Sequence, residues 1–509
     1  MKRKNGLLLL FCLFMLISYS GFTNNITVTN LSLTGQNVTE HFAMVKFDIS
    51  WENSWRTSSS PNNWDAAWVF VKYRIGTGAW MHAWLDDTGH INLNGSTIAT
   101  GLLDQALPFN PTTNPGLGVF IYRDADGTGT FSATGVQLRW NYGSNGVADN
   151  AEIDIQVHAI EQVYVPQGSF YAGSGGTEFG AFYTYPTSAN PYQITGEGPI
   201  TIGAATGNLY YNQDNIYCGD QLGPIPSVFP KGFNAFYCMK YELSQQGYAD
   251  FLNSLTTAQA ANRYSTLHTS WRYNITDSSG VYTCTSPYAS SPFVACNFIS
   301  WGDLTAYLDW SGLRPMTELE FEKACRGTQT NVPNEFAWGI GWGTTGAIAN
   351  SAYTLSSPGL ANENIATNYS TTGGNAAWDT TIQKTLGDLY GQVRVGIFAG
   401  NELNTGRVSA GATYYGIMEM SGNLYECPVT VGNPAGRGFN GSNGNGLLDD
   451  SGNADVPTWP GFDGMGSGNR GGGWGDNFTL LAVSGRYAAT WGDSLRWSDI
   501  GCRGVRVAP

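Results

Sequence analysis

At 509 residues the chain is too long for one compact core, and two domains are expected. Charged residues are 13% of it, about half the usual share, and aromatics match them at 13%, with 17 Trp and 66 Gly. That composition argues against a disordered chain, and a net charge of −14 argues against a nucleic-acid partner, whose phosphates need a basic face.

Lys2, Arg3 and Lys4 precede an apolar run from Leu7 to Ile17, and Ser18-Tyr-Ser20 offers a small-x-small cleavage site. Residues 1–20 therefore read as a signal peptide, and the run is short for a membrane span. Cys12 lies in the run without a lipoprotein maturation site after it. A soluble exported protein is expected, extracellular or at the cell surface, with the periplasm also open and no membrane span once the leader is gone.

Residues 24–160 read as a β-sandwich. Ile26–Val28, Met44–Ser50, Ala67–Tyr73 and Glu152–Val157 alternate or run apolar, and Gly, Asn, Pro and Asp clusters separate them. Asp124-Ala-Asp126-Gly127 resembles the start of a calcium loop. It has Gly135 where an EF-hand needs glutamate, so a tight turn is expected. Val163–Phe170 reads as the first strand of a second domain, 161–509. Ser244 is placed to cap a helix over Gln245–Asn253. Trp301–Trp310 reads as another helix. Thr317 and Glu320 form a capping box for a helix from Glu318 to Cys325. Residues 435–472, rich in Gly, Asn and Asp, read as loop. Seven cysteines follow residue 200. Cys284 and Cys296 are the expected bridge, while Cys325, Cys427 and Cys502 read as buried thiols.

Four phrases run through the second half: Lys240-Tyr-Glu242-Leu-Ser, Arg314-Pro-Met-Thr317-Glu318-Leu-Glu320-Phe321-Glu322, Gly416-Ile-Met-Glu419-Met-Ser-Gly422-Asn423-Leu-Tyr-Glu426 and Arg470-Gly-Gly-Gly-Trp474, with Gly501-Cys-Arg503 closing. In this order they resemble the formylglycine-generating-enzyme (sulfatase-modifying factor) family, a variant of the C-type-lectin fold. The resemblance covers about residues 160–509 and implies an α+β fold class, with the β-sandwich preceding a loop-rich lectin-like domain.

Oxidase members of that family bind copper with two cysteines after the last phrase. Those positions fall here on Asp476 and Leu481, and a carboxylate and a leucine cannot replace soft thiolates. A second branch, resembling ergothioneine-type sulfoxide synthases, holds iron with histidines. Only His268 of the five His lies in this domain. GxSxG, HExxH and P-loop motifs are missing. The resemblance instead implies structural calcium, held by the Glu419 and Glu426 side chains and the Gly422 and Leu424 carbonyls. It implies a second site at Asn375 and Asp388 with the Ala376 and Tyr390 carbonyls. Arg470, Arg486, Arg503 and Arg506 fall on recurring basic positions and are expected to tie loops together. Trp474 is expected in the core. Trp491 and Trp497 are open to stacking on sugars or packing against a partner.

The reading that follows is a non-catalytic exported protein, for binding or surface assembly, with an unknown protein or glycan ligand or a second copy of itself as partner. The alternatives are an enzyme with a relocated active site and a diversified ligand-binding protein, similar to those of diversity-generating retroelements.

Overall fold

The computed structural model describes residues 25–92, 95–266, 271–284, 292–349, 351–379 and 391–509. The expected leader, Cys12, His268, Asp388 and Tyr390 lie outside them.

The N-terminal part is two layers of antiparallel sheet. Strands β1 (Thr27–Asn37), β2 (Phe42–Arg56) and β7 (Gly127–Trp140) form one. Facing it, β3 (Asp65–Ile75) pairs with β4 (Met81–His82), β6 (Gly116–Arg123) and β8 (Ile153–Val165), and β5 (Ser96–Leu102) closes that edge. Asp124–Asp126 is the turn between β6 and β7, as the sequence suggested.

β3 explains the architecture. Successive side chains on a strand point to opposite faces, and both faces of β3 are covered. Ala67, Val69, Val71 and Tyr73 pack against Val45, Phe47, Ile49 and Leu138 inside the sandwich. Ala66, Trp68 and Phe70 point the other way, into the core of the second domain with Leu304, Leu308 and Trp310. A continuous apolar run is what a strand buried on both faces requires. Trp68 donates to the Ser311 carbonyl at 2.8 Å. Gly118 leaves room for its ring, since a Cβ there would lie 2.7 Å from it.

The two parts share one sheet. β8 runs unbroken from Ile153 to Val165, so the strands expected at 152–157 and 163–170 are one strand, followed by a short Phe170–Ala172. Its far end pairs with β9 (Phe236–Met239), which pairs with β11 (Gly504–Val507), which pairs with β10 (Arg314–Pro315). Two polar residues inside this strand are accommodated by the second domain: His158 stacks on Phe70 and meets Trp310 edge-on, and Glu161 meets Lys240. Lys72 pins the same seam, donating to the Trp310 and Gly446 carbonyls at 2.7 Å each.

The expected helices are present: α1 (Gln245–Asn253) capped by Ser244, α3 (Trp301–Trp310), and α4 (Glu318–Arg326) with the Thr317–Glu320 capping box. A further helix, α2 (Thr257–Arg263), carries a Thr256–Gln259 capping box that was legible in the sequence and overlooked. Only the short helix Pro434–Arg437 interrupts the expected loop over 435–472. The Cys284–Cys296 bridge is not formed: all seven described cysteines are free and buried. Burial pushes the Cys284 thiol up to about 12, so it behaves as a small apolar side chain.

Candidate functional site

The lectin-like loops are assembled around α4. All nine of its residues are buried, although five are charged. A buried charge persists only when paired and hydrogen-bonded, and each glutamate of α4 has its arginine. Arg314 takes Glu320 with both amino groups, at 2.8 and 2.6 Å. Arg470 bridges Glu318 and Glu322 at 2.9 Å each. Arg486 reaches Glu318 at 2.7 Å and lies over the Phe182 and Tyr211 rings. Burial pushes the Glu318 carboxyl up, but Arg486 and Arg470 outweigh it and hold it below its usual value. Arg470 and Arg486 are therefore loop ties, as expected. Arg506 ties differently: it donates to the Gly312 and Leu102 carbonyls and lies over Trp68.

Beside this network sit three carboxyl groups. Glu419 has a left-handed backbone (φ 55°), and its Oε1 accepts from Gly396 N at 2.9 Å. Glu426 Oε1 accepts from Arg503 at 3.1 Å. Glu242, which the sequence reading left without a role, accepts from Leu424 N at 2.9 Å and from the Asn423 amide. Burial pushes Glu419 and Glu426 up to about 7 and raises Glu242 well above its usual value, with Arg503 opposing in all three cases. The excess is negative.

Glu419 Oε2 and Glu426 Oε2 are buried without a hydrogen-bond partner. Gly471 turns its bare face to Glu426 Oε2, where a Cβ would lie at 2.6 Å. Among the described residues no N–H donates to the Gly422 or Leu424 carbonyl. Hard oxygens of this kind, on one short turn, suit calcium. Among the described residues no three His, Cys, Asp or Glu side chains converge to hold a metal by themselves, so an ion here would need those carbonyls. The two open carboxylate oxygens of the first expected site are donors of the kind calcium takes.

The second expected site is different. Asn375 Oδ1 accepts from Tyr353 Oη (3.1 Å) and Ser370 N (2.9 Å), and its Nδ2 donates to the Ser370 and Ser409 carbonyls (2.8 and 2.7 Å). An amide oxygen has two lone pairs, and both are in use. Ala376 is buried beside it in a cluster with Trp338 and Leu481.

At the oxidase positions, Leu481 is fully buried in that same cluster. Asp476 accepts from Gly473 N at 2.7 Å. Burial raises Asp476 and lifts its neighbour Asp499 to about 6. The cavity beside Tyr425 measures about 10 Å³, room for about one water.

The open face lies further along the same loops. Phe462 is 69% exposed, Met465 64%, Leu495 56%, Trp497 42% and Trp491 39%. Tyr217 stacks on Trp491, whose ring meets Trp497 edge-on. The two loops are adjacent, because a Cβ on Gly464 would lie 2.7 Å from Asp493 N. Phe462, Leu495 and Trp497 rim a chamber of about 540 Å³. In its floor Asp303 receives Arg496 at 2.7 Å and Arg263 at 3.3 Å. Trp474 is buried, as expected.

A lectin-like domain of buried Glu–Arg ties defines a class rather than an activity. The profile of the sulfatase-modifying factor enzyme 1-like domain matches residues 150–507, and the chain belongs to that family. No curated protein matches it. Among solved structures it is similar to Treponema denticola variable protein 1, with 11% identity over 69% of this chain and 96% of that one, at a TM-score of 0.28. Among the described residues no helix is long and apolar enough to cross a membrane.

Proposed function

We propose that the protein is an exported, non-catalytic member of its family, in which the lectin-like domain serves as a binding or surface-assembly platform held rigid by calcium. The observation that carries this reading is the open face of Phe462, Met465, Trp491, Leu495 and Trp497. Contiguous apolar patches rimmed by polar groups mark interaction sites, and rigid aromatic side chains contribute most of the contact energy there. The substitution of both thiolate positions by Asp476 and Leu481, the latter sealed in the core, supports the same reading.

The test uses the mature chain and a triple variant, Phe462→Ser, Trp491→Ser and Trp497→Ser, on a glycan array and in sedimentation velocity. The native chain is expected to bind glycans or to self-associate with concentration. The variant is expected to lose at least tenfold in affinity at an unchanged unfolding midpoint. Equal behaviour of the two proteins overturns the assignment of this face.

Calcium carries its own prediction. Glu419 and Glu426 titrate near about 7 in the fold and near about 4.3 when unfolded. Between those values the folded chain holds more protons than the unfolded one. Without calcium, stability is therefore highest at the acidic end and falls as pH rises through about 7. An ion between the two carboxylates replaces the protons, so calcium raises the unfolding midpoint more at about pH 8 than at about pH 5. Midpoints that are the same in calcium and in chelator at both pH values sink the assignment.

A further inference from the structure

A chamber of about 450 Å³ opens where the sandwich meets the lectin-like domain. Trp55 and Thr57 come from the sandwich side. Lys240, Arg407, Tyr414 and Met418 come from the other. The volume is that of a small-molecule site, and the chamber lies apart from the open aromatic face.

Its lining includes two cations and no carboxylate, in a chain with a net charge of −14. Lys240 is already neutralised from behind by Asp65 and Glu161. Arg407 is not. It donates to the Ala412 and Ala337 carbonyls at 3.3 and 2.9 Å and lies over Tyr414 at 5.7 Å. No described carboxylate pairs with it. Burial pulls it below the usual arginine value, and Glu335, the acid acting on it most, is held by Arg326. Gly339 brings the guanidinium in, since a Cβ there would lie 3.2 Å from Nη2. A half-buried guanidinium without a counter-charge, at the wall of an aromatic chamber, is a binding group for a planar anion. Trp55 is fixed by Gly416, whose bare face meets its ring, and Lys240 lies 4.9 Å over it.

We infer that this junction chamber binds a small carboxylate carried on a six-membered ring, the ring beside Trp55 and Tyr414 and the carboxylate on Arg407. Two sources share that chemistry, a sugar acid such as glucuronate and a flat aromatic acid such as benzoate. This inference does not rest on the open aromatic face and stands or falls separately.

Isothermal titration of the mature chain with glucuronate, benzoate, and neutral glucose and benzyl alcohol tests it. At least one acid is expected to bind, with its neutral analogue at least tenfold weaker. Glucuronate alone assigns a sugar acid, and benzoate alone a flat aromatic acid. Arg407→Gln is expected to weaken binding at least tenfold and Arg407→Lys to retain part of it. Thr57→Trp, which fills the chamber and leaves Arg407 in place, is expected to abolish binding if Arg407→Gln does not fold. Absence of binding by both acids overturns the inference, as does binding that Arg407→Gln and Thr57→Trp leave intact.

Discussion

Replacing Lys240 by methionine is expected to lower stability by on the order of 3–5 kcal/mol, the cost of stranding buried charge. Lys240 follows β9 and donates to Asp65 Oδ2 at 3.1 Å, Glu161 Oε2 at 3.0 Å and the Asn53 carbonyl at 3.3 Å. All three charged side chains are almost wholly buried. Strand register brings them together: Asp65 opens β3, Glu161 sits opposite Ala67 on β8, and Lys240 N donates to the Glu161 carbonyl. Burial alone would pull the Lys240 amine down, but Glu161 and Asp65 outweigh it and hold it well above its usual value. Asp65 has three further donors, Trp51 Nε1, Ser54 Oγ and Trp55 N, and keeps them in the variant. What it loses is the counter-charge. Glu161 Oε1 has no partner even now, and burial raises that carboxyl against the pull of Lys240. Glu161→Gln in the Lys240→Met background should therefore restore part of the loss, with a coupling of at least about 1 kcal/mol. Urea unfolding of the four proteins of the cycle measures it. A loss below about 1 kcal/mol in the single variant would mean that water reaches the triad and that the seam is not sealed.

How much of this was legible depended on distance along the chain. The capping box at Thr317, the Ser244 N-cap and the helix Trp301–Trp310 were readable because their partners lie within a few residues. The β3 run, apolar at every position from Ala66 to Val71, already demanded two covered faces. The Glu419 and Glu426 carboxylates could be named together because they lie seven positions apart in one phrase. In the Asn375 set, local contacts consume the asparagine. Two things were missed. β8 was read as two strands, 152–157 and 163–170, because the partners of the polar residues between them, Phe70 for His158 and Lys240 for Glu161, are some 80 positions away in sequence. Glu242 looked like one more motif letter, although a glutamate between Tyr241 and Leu243 was a signal of a buried carboxyl.

The second large effect is expected at Glu318. Its two oxygens collect five donors: Thr430 Oγ1, Val431 N and Arg486 Nη2 on Oε1, and Arg470 Nη1 and Arg486 Nε on Oε2. Glu318→Gln preserves the shape and removes the charge. Arg470 would still have Glu322. Arg486 would have no carboxylate among the described residues, only the Gly180 carbonyl and the Phe182 and Tyr211 rings. One amide nitrogen would also face guanidinium donors in place of an acceptor. The expected cost is again about 3–5 kcal/mol, and it falls on loops far apart in sequence, because Glu318 holds the 430, 470 and 486 segments at once. Limited proteolysis should accordingly show new cuts in those loops before global unfolding. Removing the stranded cation as well, with Arg486→Met, should recover at least about 1 kcal/mol by the same cycle logic. The two triads also make a comparative claim. Lys240 ties strands of one sheet, so its loss should open the junction and weaken ligand binding in the chamber beside Arg407. Glu318 ties loops to α4, so its loss should reach the aromatic face at Trp491, which follows Arg486 by five positions. If Glu318→Gln left proteolysis and the Trp491 face unchanged, the buried ion network would not be what holds the lectin-like loops in place.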